Sequence, residues 1–169
     1  MSTVTTETSA NAPIAPLAVR KTLEVRAPLA VAFRVFAEDM TSWWDLESHH
    51  VGKAKAVAAV VEPFAGGRWF ERGDDGSECD WGKVLAWEPP GRLLLQWQLD
   101  ADFKYDARLH TEVEVRFTAL EGGRTRVELE HRLLEAYGEK AALMQSILGS
   151  EGGWTALVAA YGRAADARI

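Results

Sequence analysis

The chain has 169 residues, 47% apolar and 26% charged, with a net charge of −6 and no dense Lys/Arg cluster. That composition suits one globular domain with a sizeable core, and it excludes the basic footprint of a nucleic-acid module or of an electrostatic membrane-surface binder. The single cysteine, Cys79, excludes an internal disulfide and a multi-cysteine zinc site. No apolar run approaches the roughly 20 residues that span a bilayer, so no membrane insertion is expected. The N-terminus lacks the basic start and apolar centre of a signal peptide, which makes the cytoplasm the expected address.

Residues 1–16 are rich in Thr, Ser, Ala and Pro and offer no periodic apolar face, so a disordered tail is expected there, followed by a single domain over residues 17–169. Residues 17–26 alternate, with Leu17, Val19, Leu23 and Val25 on one face, which is the pattern of a half-buried strand. Lys21 is the exception on the apolar face and reads as a lysine snorkelling at the sheet margin. Pro28 suits the first position of a helix, in which Leu29, Ala32, Phe33, Phe36 and Met40 recur at helical spacing. Thr41 and Ser42 are candidate caps for a second short helix leading into Trp43 and Trp44. Residues 48–55 read as loop, and residues 57–63 as a short apolar strand.

The stretch from Pro63 to Gln98 carries four of the seven tryptophans, Trp69, Trp81, Trp87 and Trp97. Turn signals at Gly66-Gly67, Asp75-Gly76 and Pro89-Pro90-Gly91 cut it into a meander with expected strands at 68–72, 78–87 and 92–99. Residues 99–109 read as a long connection. Two more alternating segments follow, the first with Thr111, Val113, Val115 and Phe117 on one face and the second with Thr125, Val127, Leu129 and His131; Gly122-Gly123 turns the chain between them. From about residue 139 to 165 the period becomes helical, with Leu143, Ile147, Trp154, Leu157, Val158 and Tyr161 as one apolar stripe. Gly149, Gly152 and Gly153 interrupt it and leave a kink or break open.

The expected architecture is α+β: a curved antiparallel sheet of about six to seven strands wrapped on a long C-terminal helix, with two short helices after the first strand. This order of elements, with Ala27-Pro28, Trp43-Trp44, Gly66-Gly67-Arg68-Trp69, Asp75-Gly76, Gly82-Lys83-Val84, Pro89-Pro90, Arg92-Leu93 and Trp97, resembles the SRPBCC superfamily, the START-like helix-grip fold. Thr125-x-Val127-x-Leu129-x-His131 and Gly153-Trp154 match the branch named after the activator of the heat-shock-protein-90 ATPase. The likeness spans residues 17–165. It implies the fold but supplies no shared catalytic motif, because the branch hosts several roles on one scaffold.

The leading functional reading is binding of a small hydrophobic or amphipathic molecule between sheet and C-terminal helix. The candidate ligand-binding residues are Trp43, Trp44, Trp69, Glu71, Trp97, His131, Met144 and Trp154. Glu71 shares the phase of Trp69, so an inward Trp69 makes Glu71 a carboxylate in apolar surroundings that needs a partner. His131 reads either as a ligand-orienting histidine or as a core-edge histidine bonded to backbone. Asp45, Glu47, His49 and His50 match no firm metal spacing and read as a solvated loop. No base stands beside Cys79 in sequence, so it reads as a structural thiol, and no cofactor, metal or catalytic residue is assigned. The alternatives are an aromatase/cyclase-like or hydrolase-like enzyme in the same cavity, as the resemblance allows, and a co-chaperone-like interaction module. Whether a reaction is catalysed stays open, with binding alone favoured, and so does a homodimer.

Overall fold

A computed structural model describes residues 17–168; the expected tail over 1–16 lies outside the described residues. Seven strands form one antiparallel sheet: β1 (Val19–Val25), β2 (Ala56–Val61), β3 (Arg68–Gly73), β4 (Glu78–Glu88), β5 (Arg92–Trp97), β6 (Thr111–Ala119) and β7 (Thr125–Arg132). Their order is β1-β7-β6-β5-β4-β3-β2, so the first strand closes against the last while β2 to β7 run as a meander. Helix α1 (Leu29–Ala37) and a single 3-10 turn (Met40–Ser42) carry the chain from β1 to β2 at the opposite edge. The C-terminal helical segment comprises α2 (Ala141–Leu148), a wide turn (Glu151–Thr155) and α3 (Ala156–Asp166). This is the α+β helix-grip arrangement that the sequence pattern implies.

The concave face of the sheet holds the core. On it lie Val113, Val115 and Phe117 from β6 and Val127 and Leu129 from β7, all buried. Helix α3 closes this face through Leu157, Val158, Tyr161 and Ala165. Tyr161 ties the two helical segments together, with its hydroxyl donating to the Ala32 carbonyl at 2.8 Å and its ring against Phe36 and Trp43. Lys21 does lie on the inner face, and its ammonium donates to the Gly149 carbonyl, at the end of α2.

Strand β4 curves the sheet. Its register slips once against β3, between the Trp69–Gly82 and Phe70–Asp80 pairs, and once against β5, between Val84 and Ala86. Each slip is a bulge that advances the side-chain phase by one residue and bends the strand. Trp81 and Val84 are both buried, three residues apart, where strict alternation would oppose them. At the first bulge Gly82 lies so close to β5 that a Cβ would stand 1.7 Å from the Gln96 carbonyl oxygen.

Four expectations need correction. Strand β5 stops at Trp97, and Leu99 makes only an isolated bridge to Tyr105. The strand expected over 57–63 runs from Ala56 to Val61 instead, ahead of the turn that reaches Gly67. Thr41 and Ser42 lie within the 3-10 turn and cap no helix: the Thr41 hydroxyl donates to the Ala59 carbonyl of β2, and that of Ser42 to the Asp39 carbonyl. The apolar stripe is not continuous either. Leu143 and Ile147 are 56% and 37% exposed, and α2 buries Ala141, Met144 and Leu148 instead. Ser150 is extended and Gly153 non-helical, so the break resets the helical phase and the two halves turn different faces inward.

Candidate functional site

Five indoles, Trp44, Trp69, Trp81, Trp97 and Trp154, pack as one continuous cluster with ring centroids 4.9–6.1 Å apart. Four of them, Trp44, Trp81, Trp97 and Trp154, line a cavity of about 260 Å³. Leu99, Leu148 and Leu157 complete its buried end. Its outer end is rimmed by Ser48, His49, His50 and Val51 from the loop before β2, by Phe103, and by Ile147 and Gly152 at the helix break.

Each element places its tryptophan for a local reason. The bulge at Gly82 keeps Trp81 on the concave face. Trp97 ends β5 inward in phase with Leu93 and Leu95. The wide turn brings Trp154 against His131, and the 3-10 turn delivers Trp43 and Trp44 in succession.

The sequence candidates divide accordingly. Trp44, Trp97 and Trp154 line the cavity. Trp43 does not: its indole N–H donates to the Val35 carbonyl and its ring fills the space between Phe36 and Tyr161. Trp69 sits behind the lining, donating to the Met40 sulfur at 3.4 Å. Met144 is fully buried outside the lining. Trp81, Ser48, His49 and His50 line the cavity and are not among the sequence candidates for ligand binding. For the two histidines and Ser48 no periodic signal exists, because they lie on a loop.

Glu71 and His131 form a second layer behind the indoles. Strand β3 does turn Trp69 and Glu71 inward, at 0% and 2% exposure, while Arg68 and Arg72 lie against Phe70 on the other face. The Glu71 carboxylate accepts three hydrogen bonds, from Trp81 Nε1 at 2.8 Å and from the backbone N–H groups of Val51 at 2.5 Å and Gly52 at 3.0 Å. It thus fixes one cavity wall and the loop that forms the rim. Cys79 lies beside it, with its thiol pushed up by burial and by the Glu71 charge.

His131 is completely buried. Trp154 Nε1 donates to its Nδ1 at 3.0 Å, and its Nε2 is 3.0 Å from the Thr111 hydroxyl, which donates to the Trp97 carbonyl. An indole N–H can only donate, so Nδ1 is the acceptor and the proton of the neutral ring sits on Nε2. The relay runs from Trp154 through His131 and Thr111 to Trp97 and satisfies every member. Burial pushes the His131 pKa down from 6.5 to about 3. In the unfolded chain the ring takes a proton near pH 6.5, whereas the folded protein refuses it. Stability from this group is therefore complete above pH 6.5 and declines as the pH falls toward 3. Between pH 6.5 and 5 the loss is about 2 kcal/mol. Chemical denaturation at pH 7 and pH 5 should show it, and His131→Phe, although less stable at neutral pH, should lack that slope. Equal slopes in the two proteins would contradict the buried neutral ring.

The loop candidates take backbone partners. His49 Nε2 donates to the Gly152 carbonyl at 2.6 Å, its Nδ1 lies 3.6 Å from the Asp45 carboxylate, and His50 Nδ1 donates to the Gly52 carbonyl at 2.9 Å. Among the described residues no three His, Cys, Asp or Glu side chains group as metal ligands would. The outer sheet face is a lattice of charge, in which Arg132 contacts Glu112, Glu114 and Glu130, and Arg92 contacts Glu88 and Glu114. No helix among the described residues is long and apolar enough to cross a membrane.

A curved sheet gripping a C-terminal helical segment around an aromatic cavity defines a helix-grip protein of the SRPBCC superfamily. Residues 26–160 match the family model described as Activator of Hsp90 ATPase homolog 1-like protein, and the chain belongs to that family. Among solved structures it is similar to the anthrahydroquino-gamma-pyrone synthase Txn09, at 34% identity over 86% of this chain and 95% of that one, with a TM-score of 0.60. It is also similar to CalC, a self-sacrificing resistance protein from Micromonospora echinospora, at 28% identity over 89% and 95% of the two chains and a TM-score of 0.67. Protein Ms6760 from Mycobacterium smegmatis shares the fold, at 21% identity, 91% coverage of each chain and a TM-score of 0.60. No curated protein sequence matches.

Proposed function

We propose that this protein binds a small, flat aromatic molecule between its tryptophans. The observation that carries the reading is the cavity of about 260 Å³ walled by Trp44, Trp81, Trp97 and Trp154. That is just below the ~300–1,000 Å³ usual for small-molecule sites, so the ligand is compact. Rigid indoles favour planar partners through offset and edge-to-face contacts. A second reading, cyclase-type catalysis on such a molecule, has the 34% identity to Txn09, described as an anthrahydroquino-gamma-pyrone synthase, in its favour. In that case His50, whose Nε2 is uncommitted on the exposed rim, would be the residue to move protons. A cavity beneath an outer face covered with paired charge supports either reading over an interaction module.

The test is titration with 1,2-dihydroxyanthraquinone. Saturable quenching of tryptophan emission at one molecule per chain is expected, and Leu157→Trp, which fills the cavity from α3, should abolish it in a protein that still melts cooperatively. Quenching that never saturates, or that survives Leu157→Trp, would remove the cavity as the binding site.

A further inference from the structure

Every indole N–H in the cavity wall already has a partner. Trp44 donates to the His49 carbonyl at 3.1 Å and Trp81 to Glu71 at 2.8 Å. Trp97 donates to the Leu99 carbonyl at 3.2 Å and the Tyr137 hydroxyl at 3.0 Å, and Trp154 to His131 at 3.0 Å. The acceptors behind them are equally occupied. Both Glu71 oxygens and both His131 nitrogens are taken, and the Tyr137 hydroxyl donates to the Leu99 carbonyl at 2.6 Å. The buried end therefore presents ring faces, ring edges and leucine methyls, with no side-chain donor or acceptor to spare.

The rim differs. Among the described residues, the uncommitted and exposed side-chain hydrogen-bonding atoms of the lining are Ser48 Oγ and His50 Nε2, on one loop. His49 Nδ1 is itself shut off from water without a hydrogen-bond partner, its nearest charged neighbour being the Asp45 carboxylate at 3.6 Å. Ser48 and His50 are exposed, as is Phe103 across the opening at 37%.

Resting on the reading of the cavity as an aromatic-ligand site, we infer that the ligand carries its hydrogen-bonding groups along one edge. The bare end of the ring system enters between the tryptophans, and hydroxyl or carbonyl groups on the other edge meet Ser48 and His50. A polar group at the buried end would give up water and find no free side-chain partner in return, which is the difference that discriminates between isomers. A hydrophobic pocket rejects an added hydroxyl by as much as about a hundredfold.

Two isomers with the same formula separate the possibilities. Naphthalene-2,3-diol has both hydroxyls on one edge, and naphthalene-2,6-diol has them at opposite ends. Calorimetric titration of the full chain should give a dissociation constant at least tenfold lower for the 2,3-isomer. The double variant Ser48→Ala/His50→Phe should weaken the 2,3-isomer several-fold. Equal affinity for the two diols would overturn the inference while leaving the aromatic-ligand reading standing. Unchanged 2,3-diol affinity in the double variant would overturn the assignment of the polar edge to this loop. If neither diol binds, the aromatic-ligand reading falls, and the inference with it.

Discussion

Gly82→Ala will leave little folded protein. The bulge in β4 brings the Gly82 backbone against β5, so an alanine methyl would stand 1.7 Å from the Gln96 carbonyl oxygen and 2.8 Å from its carbon. Both are main-chain atoms of a central, hydrogen-bonded strand, and no rotamer change relieves the overlap. Relief requires parting β4 from β5 or losing the bulge, and losing the bulge would turn Trp81 away from the concave face. The expected cost is at least about 3 kcal/mol, in the class of backbone clashes that single substitutions rarely survive. Gly153→Ala should be comparably harmful, since its methyl would stand 2.4 Å from the Leu148 carbonyl oxygen. Gly152→Ala is the control, because nothing lies within 4 Å of its Cβ position. Its stability should stay within about 0.5 kcal/mol of the parent. Soluble yield and thermal melts of the three variants check the ranking. A Gly82→Ala protein that melted within a few degrees of the parent would contradict the close approach.

The same bulge shows where the chain could be read in advance and where it could not. β1, β6 and β7 alternate strictly, and their inner faces follow from residue parity alone. So does the pairing of Trp69 with Glu71 on β3, because the slip there falls on the partner strand. In β4 the buried Trp81 and Val84 are three residues apart, and no two-residue period predicts that both point inward. From the sequence Trp81 therefore reads as one more aromatic of the meander, although it is a cavity wall. A comparable phase error affected the C-terminal segment, where one continuous helical wheel placed Leu143 and Ile147 with Trp154. The break at Ser150–Gly153 rotates α2 relative to α3, so Leu148 joins Met144, the one inward candidate of α2, in the core in place of Leu143 and Ile147. Periodicity reports faces within one unbroken element and is silent across a bulge or a break.

Depth was the second thing the pattern could not supply. Parity put Glu71 and His131 on the inner face, and they are there. It could not say that each would stand behind an indole and not beside the cavity. That follows from the size of tryptophan. Trp81 and Trp154 reach past the sheet surface, so their N–H groups meet polar atoms rooted in β3 and β7. The buried carboxylate and the buried imidazole thus serve the cavity by holding its walls. Glu71 also holds the loop whose Ser48, His49 and His50 form the rim, which couples the floor of the site to its entrance.

Trp154→Ala should lower stability by about 3–5 kcal/mol, the range for removing a buried large aromatic side chain. The ring is 1% exposed and packs against Trp44, Trp97 and His131. For a chain of this size the melting temperature should fall by roughly 10 °C or more. A second consequence separates this residue from an ordinary core aromatic. With the indole gone, His131 Nδ1 loses its donor and the enlarged space admits water. The desolvation that holds the His131 pKa at about 3 then weakens. The pKa should rise toward 6.5, and the loss of stability between pH 6.5 and 5 should shrink in the variant. Trp154→Phe keeps an aromatic ring but not the N–H, so it should cost less in stability while still leaving Nδ1 without a partner. Denaturation of all three proteins at pH 7 and pH 5, with the imidazole titration followed by NMR, gives both readouts. If Trp154→Ala were destabilised as expected but kept the parent's full pH slope, Trp154 would be packing alone and the relay to His131 would have no energetic weight.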